Sequence, residues 1–416
     1  MARKMKDSGI EWIGEIPEGW EVLAHKYIMH KEKSICEHYS GEDVISLTLN
    51  GVVKRDLENP SGKMPTTFDG YQFVDPNDLL LCLFDIDVTP RCVGLVKDYG
   101  VTSPAYSCFK IHSGFCNAYY NYLLRFIDDE KVFVHLSKNL RSSLTESDFG
   151  AIKTIVPPKA EQQRIADYLD NRTFEIDTLL SKARSSIEEY KKLKQAVITQ
   201  AVTKGVRGER KMKDSGVEWI GTYPSNWKII KIKWLLHERK DRSVTGLEEP
   251  LSMSQKKGLI PTKDMDSIPN MASSFIGAKL VYKGDLVFNK LKAHLGVFSV
   301  SKYNGLVSPD YAVYYSTGPA NLNFLELLFK TPQYINEFKK KSSGVGAGLT
   351  RLYTGDLYSI YCALPPLVEQ EKIADYLDIK CAEIDKLIAK KEQLVKELES
   401  YKKSLIYEVV TGKREV

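Results

Sequence analysis

Two long segments of the chain have the hydrophobic spacing of a paired α-helix. Between Pro158 and Gly205 lie 46 residues without glycine or proline, and between Pro366 and Gly412 lie 45. In both segments apolar residues recur at alternating spacings of three and four, which places them on one face of a helix. Lys194 and Lys402 interrupt these stripes at matching positions. The apolar positions of these stripes include Ile176, Leu180, Ile187, Tyr190 and Val197 in the first segment, and Ile384, Ile388, Val395, Leu398 and Leu405 in the second.

A helix with one apolar face needs a partner that buries this face. Each segment is the nearest candidate for the other, and an antiparallel coiled coil is the pairing expected for two related halves. The alternative is that each helix packs only against its own domain. The prolines before both segments predict an extended lead-in, and Gly205 and Gly412 predict the helix ends. The polar stretch at 171–173 is a candidate break between a short helix and a long one.

The remaining segments have the pattern of short strands mixed with helices. Apolar runs bounded by turn residues at 78–84, 107–111, 279–288 and 311–315 predict strands. Helical spacing follows at 117–126, at 321–329 and at 334–341. Each insert between the frame motifs is about 135 residues, the size of one compact domain. We therefore predict an α+β fold with mixed sheets.

An internal repeat organises the whole chain. The segment KMKDSGIEWIG, which begins at Lys4, returns from Lys211 with ten of eleven residues identical. The segment PPKAEQQRIADYLD, which begins at Pro157, returns from Pro365 with ten of fourteen identical. The second offset is 208 residues, half of the chain length of 416. The repeat is therefore interpreted as cyclic, with two tandem domains related by a pseudo-twofold axis and separated by the two long helices.

This repeat divides the chain into four predicted segments. Residues 1–156 form the first frame motif and first insert, and residues 157–210 form the central helical arm. Residues 211–364 form the second frame motif and second insert, and residues 365–416 form the C-terminal arm. Between the frame motifs the two inserts share only scattered landmarks, such as Trp20 with Trp227. The repeated frame predicts that one kind of partner binds twice. The two different inserts predict that the chain recognises two different targets.

Composition and charge narrow the class of protein. The chain is 43% hydrophobic and 27% charged, which is ordinary for globular domains, and its net charge of +5 permits nucleic acid without requiring it. The longest apolar run, at 79–84, is too short to span a bilayer. No secretory signal pattern is present at the N-terminus, so we expect a cytoplasmic protein without a membrane partner. Seven scattered cysteines lack metal spacing and are predicted to be reduced.

The sequence contains no signature of a catalytic site. A DNA-modifying enzyme would need a methyl-donor site or a hydrolytic metal site, and neither motif occurs. The nearest string to a base-stacking tetrapeptide, at 59–62, lacks the aromatic residue. We therefore predict no catalytic residue, no metal and no cofactor.

Basic and amide residues instead gather at predicted loops in both inserts. Lysine and arginine suit phosphate contacts, whereas amides suit base edges. Solvated loop charge is the alternative for any single residue, but the same clustering in both halves favours DNA binding for the set. The candidate DNA contacts are Lys54, Arg55, Lys63, Arg91 and Lys97 in the first insert, and Gln255, Lys256, Lys257, Lys263, Asn289, Lys290, Lys292 and Arg351 in the second.

With these motifs the chain resembles the specificity subunits of type I restriction-modification systems over essentially its full length. The resemblance rests on GIEWIGEIPEGW and GVEWIGTYPSNW, on both PP-x-x-EQ blocks and on the EID triplets at 175–177 and 383–385. It implies two target-recognition domains that each read half of a split DNA site. It further implies a non-catalytic scaffold for two adenine methyltransferase subunits, joined by motor-nuclease (restriction) subunits.

Two other function classes stay open from the sequence. A self-contained DNA modification or restriction enzyme would turn over DNA without partner subunits. A coiled-coil adaptor would have no affinity for DNA. Methyl transfer by the purified chain and salt-dependent DNA binding distinguish the three.

Overall fold

The computed structural model describes residues 3–49, 51–60, 64–89, 91–137, 142–255, 257–267, 274–344 and 350–416. The chain forms two compact units. The first unit consists of Met1–Arg184 together with Gln393–Val416, and the second consists of Ser185–Glu392. The chain therefore leaves the first unit and returns to it at its C-terminus. This assignment also divides each of the two long helices between the units.

The first unit contains short strands and helices followed by the first long helix. A short 3-10 turn at His25–Tyr27 separates the third strand from the fourth. The strands are β1 (Met5–Asp7), β2 (Glu15–Pro17), β3 (Glu21–Ala24), β4 (Met29–Glu32), β5 (Ser34–Cys36), β6 (Val44–Thr48), β7 (Gly51–Lys54), β8 (Tyr71–Val74), β9 (Leu79–Leu81), β10 (Val93–Leu95), β11 (Gly100–Thr102), β12 (Ser107–Ile111) and β13 (Lys153–Val156). The helices are α1 (Asn117–Asp129), α2 (Val132–Leu136), α3 (Glu146–Ala151) and α4 (Lys159–Lys204).

Two sheets form the body of the first unit. One has four antiparallel strands in the order β10-β9-β12-β4, and the other has five in the order β5-β8-β11-β6-β7. The second sheet is mixed, because β11 pairs parallel with β6 and antiparallel with β8. A separate ladder joins β3 to β13, with Glu21 opposite Val156. This ladder places the N-terminal frame motif beside the start of α4.

The second unit repeats this order in outline, with additional 3-10 turns. Its 3-10 turns are Ile232–Trp234, Thr262–Asp264 and Ala293–Leu295. The strands are β14 (Met212–Asp214), β15 (Thr222–Pro224), β16 (Lys228–Lys231), β17 (His237–Glu238), β18 (Leu251–Ser254), β19 (Gly258–Pro261), β20 (Lys279–Val281), β21 (Leu286–Asn289), β22 (Phe298–Val300), β23 (Gly305–Val307), β24 (Tyr311–Tyr315), β25 (Ser343–Gly344), β26 (Thr350–Arg351) and β27 (Tyr361–Leu364). The helices are α5 (Leu322–Phe329), α6 (Pro332–Lys341), α7 (Thr354–Ser359) and α8 (Leu367–Val410). These elements include an added ladder of β25 and β26 between α6 and α7.

The sheets of the second unit are partly equivalent to those of the first. The antiparallel sheet β17-β24-β21-β22 has the same connectivity as β4-β12-β9-β10, and β16 pairs with β27 as β3 pairs with β13. The mixed five-stranded sheet corresponds here to separate ladders, β18-β19 and β20-β23, with a parallel bridge between Pro250 and Leu306. The predicted α+β class with mixed sheets is confirmed. The difference between the units lies in the inserts.

The glutamine of each repeated EQ dipeptide explains why the motif appears twice. Gln162 is buried, accepts a hydrogen bond from Cys116 N at 2.8 Å and donates one to Pro157 O at 2.8 Å. Gln370 makes the equivalent bonds with Asn321 N and Pro365 O, both at 2.8 Å. Each amide thus satisfies the backbone at the start of two helices, where buried polar groups would otherwise be unpaired.

The glycines that follow α4 and α8 end both helices as predicted. Gly205 and Gly412 have φ angles of +81° and +72°, the left-handed conformation that glycine adopts without strain. Gly412 also packs tightly, because a Cβ added there would lie 2.6 Å from Pro17 and 2.8 Å from the Trp20 ring. The predicted break at 171–173 is wrong, because α4 continues through these residues. The hydrogen bonds and burial of a continuous helix outweigh the weak helix propensity of Asn171 and Thr173.

Within each unit the segments of α4 and α8 run antiparallel. In the first unit Asp177 pairs with Lys402 and Arg184 pairs with Glu399, so residue numbers rise on one helix as they fall on the other. In the second unit Lys194 pairs with Asp385, and residues near the end of α4 share a core with residues near the start of α8. The predicted stripe residues that are buried are Ile176, Leu180, Ile187, Ile384 and Leu405, and those that are half-buried are Tyr190, Val197, Ile388, Val395 and Leu398.

Candidate nucleic-acid interface

Lys54 and Arg55 lie at the end of β7, on the edge of the mixed sheet of the first unit. The Lys54 side chain is exposed and its Nζ lies 2.5 Å from Asp43 Oδ2. Both residues line a surface depression of about 350 Å³ that also includes Tyr106. An exposed lysine paired with one carboxylate can exchange this partner for a phosphate at little cost. Lys63, which the sequence also predicts as a contact, lies outside the described residues.

Arg91 and Lys97 flank β10 and differ in availability. The Arg91 side chain is only 12% exposed, its Nη2 lies 3.3 Å from Asp129 Oδ1, and its Nε donates to Leu49 O at 3.1 Å. The ion pair of Arg91 with Asp129 therefore holds the loop before β10 against α1. Lys97 is exposed and has no ion-pair partner among the residues that the structure describes. Of the two side chains, Lys97 is therefore the more accessible to a phosphate group.

In the second unit, Gln255 and Lys257 lie in the connection between β18 and β19, and Lys263 lies in the 3-10 turn after β19. Lys257 Nζ is 2.6 Å from Asp266 Oδ1, and Lys263 Nζ is 3.1 Å from Glu249 Oε1. All three side chains are exposed. Lys256, between them, lies outside the described residues.

A second group forms where β21 ends. Leu352 N donates to Lys290 O at 3.0 Å, which brings Arg351 beside Lys290. Burial lowers the pKa of Lys290, the nearby Lys279 lowers it further, and Glu238 opposes this change. Arg351 Nη2 lies 2.9 Å from Asp310 Oδ1.

The other two predicted contacts at this end of β21 differ in exposure. Asn289 Oδ1 accepts from Leu291 N at 3.1 Å, and the Asn289 side chain also hydrogen-bonds to the hydroxyl of Tyr311. Lys292 is exposed. The structure thus brings Asn289, Lys290, Lys292 and Arg351 together at the end of β21.

The chemistry of these groups suits binding rather than catalysis. They consist of amides and of cations, and Lys54, Lys257, Lys263 and Arg351 contact exposed carboxylates. Within the described ranges, no group of three or more histidine, cysteine or acidic side chains is placed to hold a metal ion. The seven cysteines are free, and burial raises the pKa of the Cys362 thiol to about 12, so that thiol stays protonated.

Sequence reasoning missed a larger basic surface of the first unit. A groove of about 1020 Å³ lies between the paired segments of α4 and α8 and the region around β10 and α1. We call it the arm groove. Its cations on α4 and α8 are Arg184, Lys396, Lys402 and Lys403, and those outside these two helices are Arg91, Lys97 and, in α1, Arg125. The sequence does contain a signal of this surface. The residues 208 positions before Lys396 and Lys403 are Glu188 and Gln195, so the two lysines occur in only one of the two repeats.

Two proteins of Methanocaldococcus jannaschii are similar to this chain in sequence. One is named as the MjaX specificity subunit of a type I restriction enzyme and is 27% identical over 303 residues, which cover 71% of this chain and 67% of that protein. The other, the MjaVIII specificity subunit of a type I restriction enzyme, is 22% identical over 281 residues, which cover 64% and 63%. This chain is a homologue of type I restriction enzyme specificity subunits. No family model matches the chain.

Two solved structures share the fold of this chain. A chain from a structure of a type I restriction-modification system, studied for its assembly and conformational transition, matches with a TM-score of 0.69. It is 14% identical, and the match covers 96% of this chain and 99% of that chain. The HsdS subunit of Thermoanaerobacter tengcongensis matches with a TM-score of 0.52 at 16% identity, over 96% and 98% of the two chains. Among the helices that the structure describes, none has the length and apolar character needed to cross a membrane.

Proposed function

We propose that this specificity-subunit homologue is the non-catalytic DNA-recognition subunit of a cytoplasmic type I restriction-modification complex. One observation carries the proposal: each unit has the same buried frame but a different set of loops. Trp20 and Trp227 are both buried at equivalent positions, and Gln162 and Gln370 make equivalent bonds. A frame that is repeated while its loops differ suits two recognition domains that read two different half-sites.

The DNA contacts belong to the loop groups of both units. The amides of Gln255 and Asn289 suit base edges, because an amide offers a donor and an acceptor together. The exposed lysines, such as Lys54 and Lys292, suit phosphates. In this proposal, residues 1–156 and 211–364 hold the recognition domains, and residues 157–210 and 365–416 hold the arms.

The frame and the arms are proposed to bind the catalytic partners. A surface that occurs twice in one chain offers the same docking site twice, which suits two methyltransferase subunits. These subunits are proposed to supply the binding site for the methyl donor and the adenine-methylating site, and restriction subunits join them for cleavage. The chain itself then needs no cofactor and no catalytic residue.

The test uses the purified chain with and without methyltransferase subunits of a type I restriction-modification system. We expect no methyl transfer to DNA by the chain with S-adenosylmethionine alone, and transfer to adenine in one bipartite sequence by the complex. We also expect the affinity of the complex for DNA to fall steeply with salt, by roughly 0.9 in log K per log unit of salt for each neutralised phosphate. Methyl transfer by the chain alone would favour a self-contained enzyme, and a complex without DNA affinity would favour an adaptor.

A further inference from the structure

The arm groove of the first unit has an excess of positive charge that its folded neighbours do not neutralise. Within the described part of the chain, seven cations line it against three carboxylates, those of Asp129, Asp177 and Glu399. Each carboxylate already has a partner: Asp129 contacts Arg91, Asp177 contacts Lys402, and Glu399 contacts Arg184.

The four remaining cations are Lys97, Arg125, Lys396 and Lys403. Lys97, Lys396 and Lys403 are exposed, and in the described part of the chain no carboxylate lies within ion-pair distance of them. Arg125 is held more deeply, and its buried Nε has no hydrogen-bond partner there. Burial and the neighbouring Arg91 lower the pKa of Arg125, and the nearby carboxylates of Asp129 and Asp177 oppose them only in part. An anion in the groove would relieve this repulsion and offer acceptors to all four groups.

The second repeat provides an internal comparison. At the positions equivalent to Lys396 and Lys403, α4 carries Glu188 and Gln195 in the second unit. The positions equivalent to Arg184 and Glu399 are occupied by Glu392 and Lys191. The positive and negative residues are exchanged there, and the net charge of the two positions is the same. The antiparallel pairing of the arms therefore does not require the two extra lysines. They add positive charge to one unit only.

We propose that the arm groove binds the phosphate backbone of double-stranded DNA next to the half-site that the first unit reads. This inference rests on the proposed function and adds a contact surface to it. The groove is open and is lined by long flexible cations, which suits the evenly spaced charges of a backbone rather than one small anion. Among the residues that the structure describes, no asparagine or glutamine lines it. The contact therefore contributes affinity without sequence preference, and it makes the two units unequal in their contribution to DNA binding.

The test compares two double variants in complex with methyltransferase subunits. Lys396→Glu with Lys403→Gln installs the residues that the second unit already tolerates, so folding is preserved. The control, Lys386→Glu with Lys390→Gln, makes the same charge change on exposed positions of α8 that lie outside the groove. Binding is measured on a duplex with the target and on a scrambled duplex, over a range of salt concentrations. The fraction of assembled complex is measured by sedimentation.

We expect the groove variant to bind both duplexes more weakly by a similar factor, and to methylate the same sequence. The slope of log K against log salt should become shallower by roughly 0.9 for each lost phosphate contact, or about 1.8 for two. The control should keep the wild-type slope. A groove variant with the wild-type slope and affinity overturns the proposal, and so does one that fails to assemble, because the groove then binds an acidic protein surface. A wild-type complex that binds no duplex would overturn the proposed function itself.

Discussion

Lys402 Nζ lies 2.6 Å from Asp177 Oδ1 in the first unit, and the same contact recurs in the second unit between Lys194 and Asp385, also at 2.6 Å. Both lysines occupy positions of the apolar stripe where a hydrophobic residue is expected. Their four-carbon stems can cover the neighbouring apolar side chains while the ammonium group reaches the carboxylate. The chain therefore uses one charged contact twice to join α4 and α8 in antiparallel register.

These pairs are expected to contribute little to stability. In the variant Lys194→Met the side chain still covers the stripe, and Asp385, whose side chain is 55% exposed, remains hydrated. The free energy of unfolding should change by less than about 1 kcal/mol. Urea unfolding of the full chain, followed by tryptophan fluorescence, measures this change. A loss of several kcal/mol would show that the pair is a major determinant of stability.

The buried amide of Gln162 is expected to matter far more than that of its neighbour. Gln162→Leu removes the partners of Cys116 N and Pro157 O, and each unpaired buried group costs about 1–3 kcal/mol. Gln163 is exposed, so Gln163→Leu is the matched control and should change the free energy of unfolding by less than about 0.5 kcal/mol. Equal losses in the two variants would contradict the role assigned to the EQ dipeptide.

Gly412 fastens the C-terminus to the first unit. Alanine at this position would be strained by about 1–2 kcal/mol at positive φ and would also collide with Pro17 and Trp20. Gly9 has a similar φ of +68° but open space around it, so Gly9→Ala isolates the backbone strain. Thermal unfolding should therefore show a larger loss for Gly412→Ala than for Gly9→Ala. If the two losses were equal, the packing against Trp20 would be energetically neutral.

His25 should make stability depend on pH. Its ring is fully buried, its Nδ1–H donates to Phe149 O at 3.2 Å, and burial lowers its pKa from 6.5 to about 4. As the pH falls below 6.5, His25 becomes protonated in the unfolded chain, whereas in the folded chain it stays neutral until its pKa of about 4 is reached. The free energy of unfolding therefore falls by about 2 kcal/mol between pH 7 and pH 5 from this residue.

The comparison that isolates this effect is between wild type and His25→Leu. The variant should lose less stability than wild type over the same pH interval, although it is less stable at pH 7. His135 is exposed, and His135→Asn should keep the wild-type dependence. Parallel curves for wild type and His25→Leu would mean that His25 does not titrate as described.

The sequence predicted much of the frame, because repetition and periodicity are local signals. The strands at 107–111 and 311–315 and the helix stops at Gly205 and Gly412 agree with the structure. The arm groove was not predicted, because Arg125 and Lys396 are far apart in sequence and meet only through packing. Lys402 was read as an interruption of the stripe, since periodicity contains no information about the carboxylate that lies opposite.

The most direct test of the central claim is a map of methylated adenines in cells that carry the complex, with and without an exchanged insert. Residues 228–364 are replaced by the corresponding insert of a homologue that recognises a different sequence. We expect one half of the bipartite target to change while the other half stays the same, because each unit reads its own half-site through its own loops. A target altered in both halves, or an unaltered target in an active complex, would contradict the account.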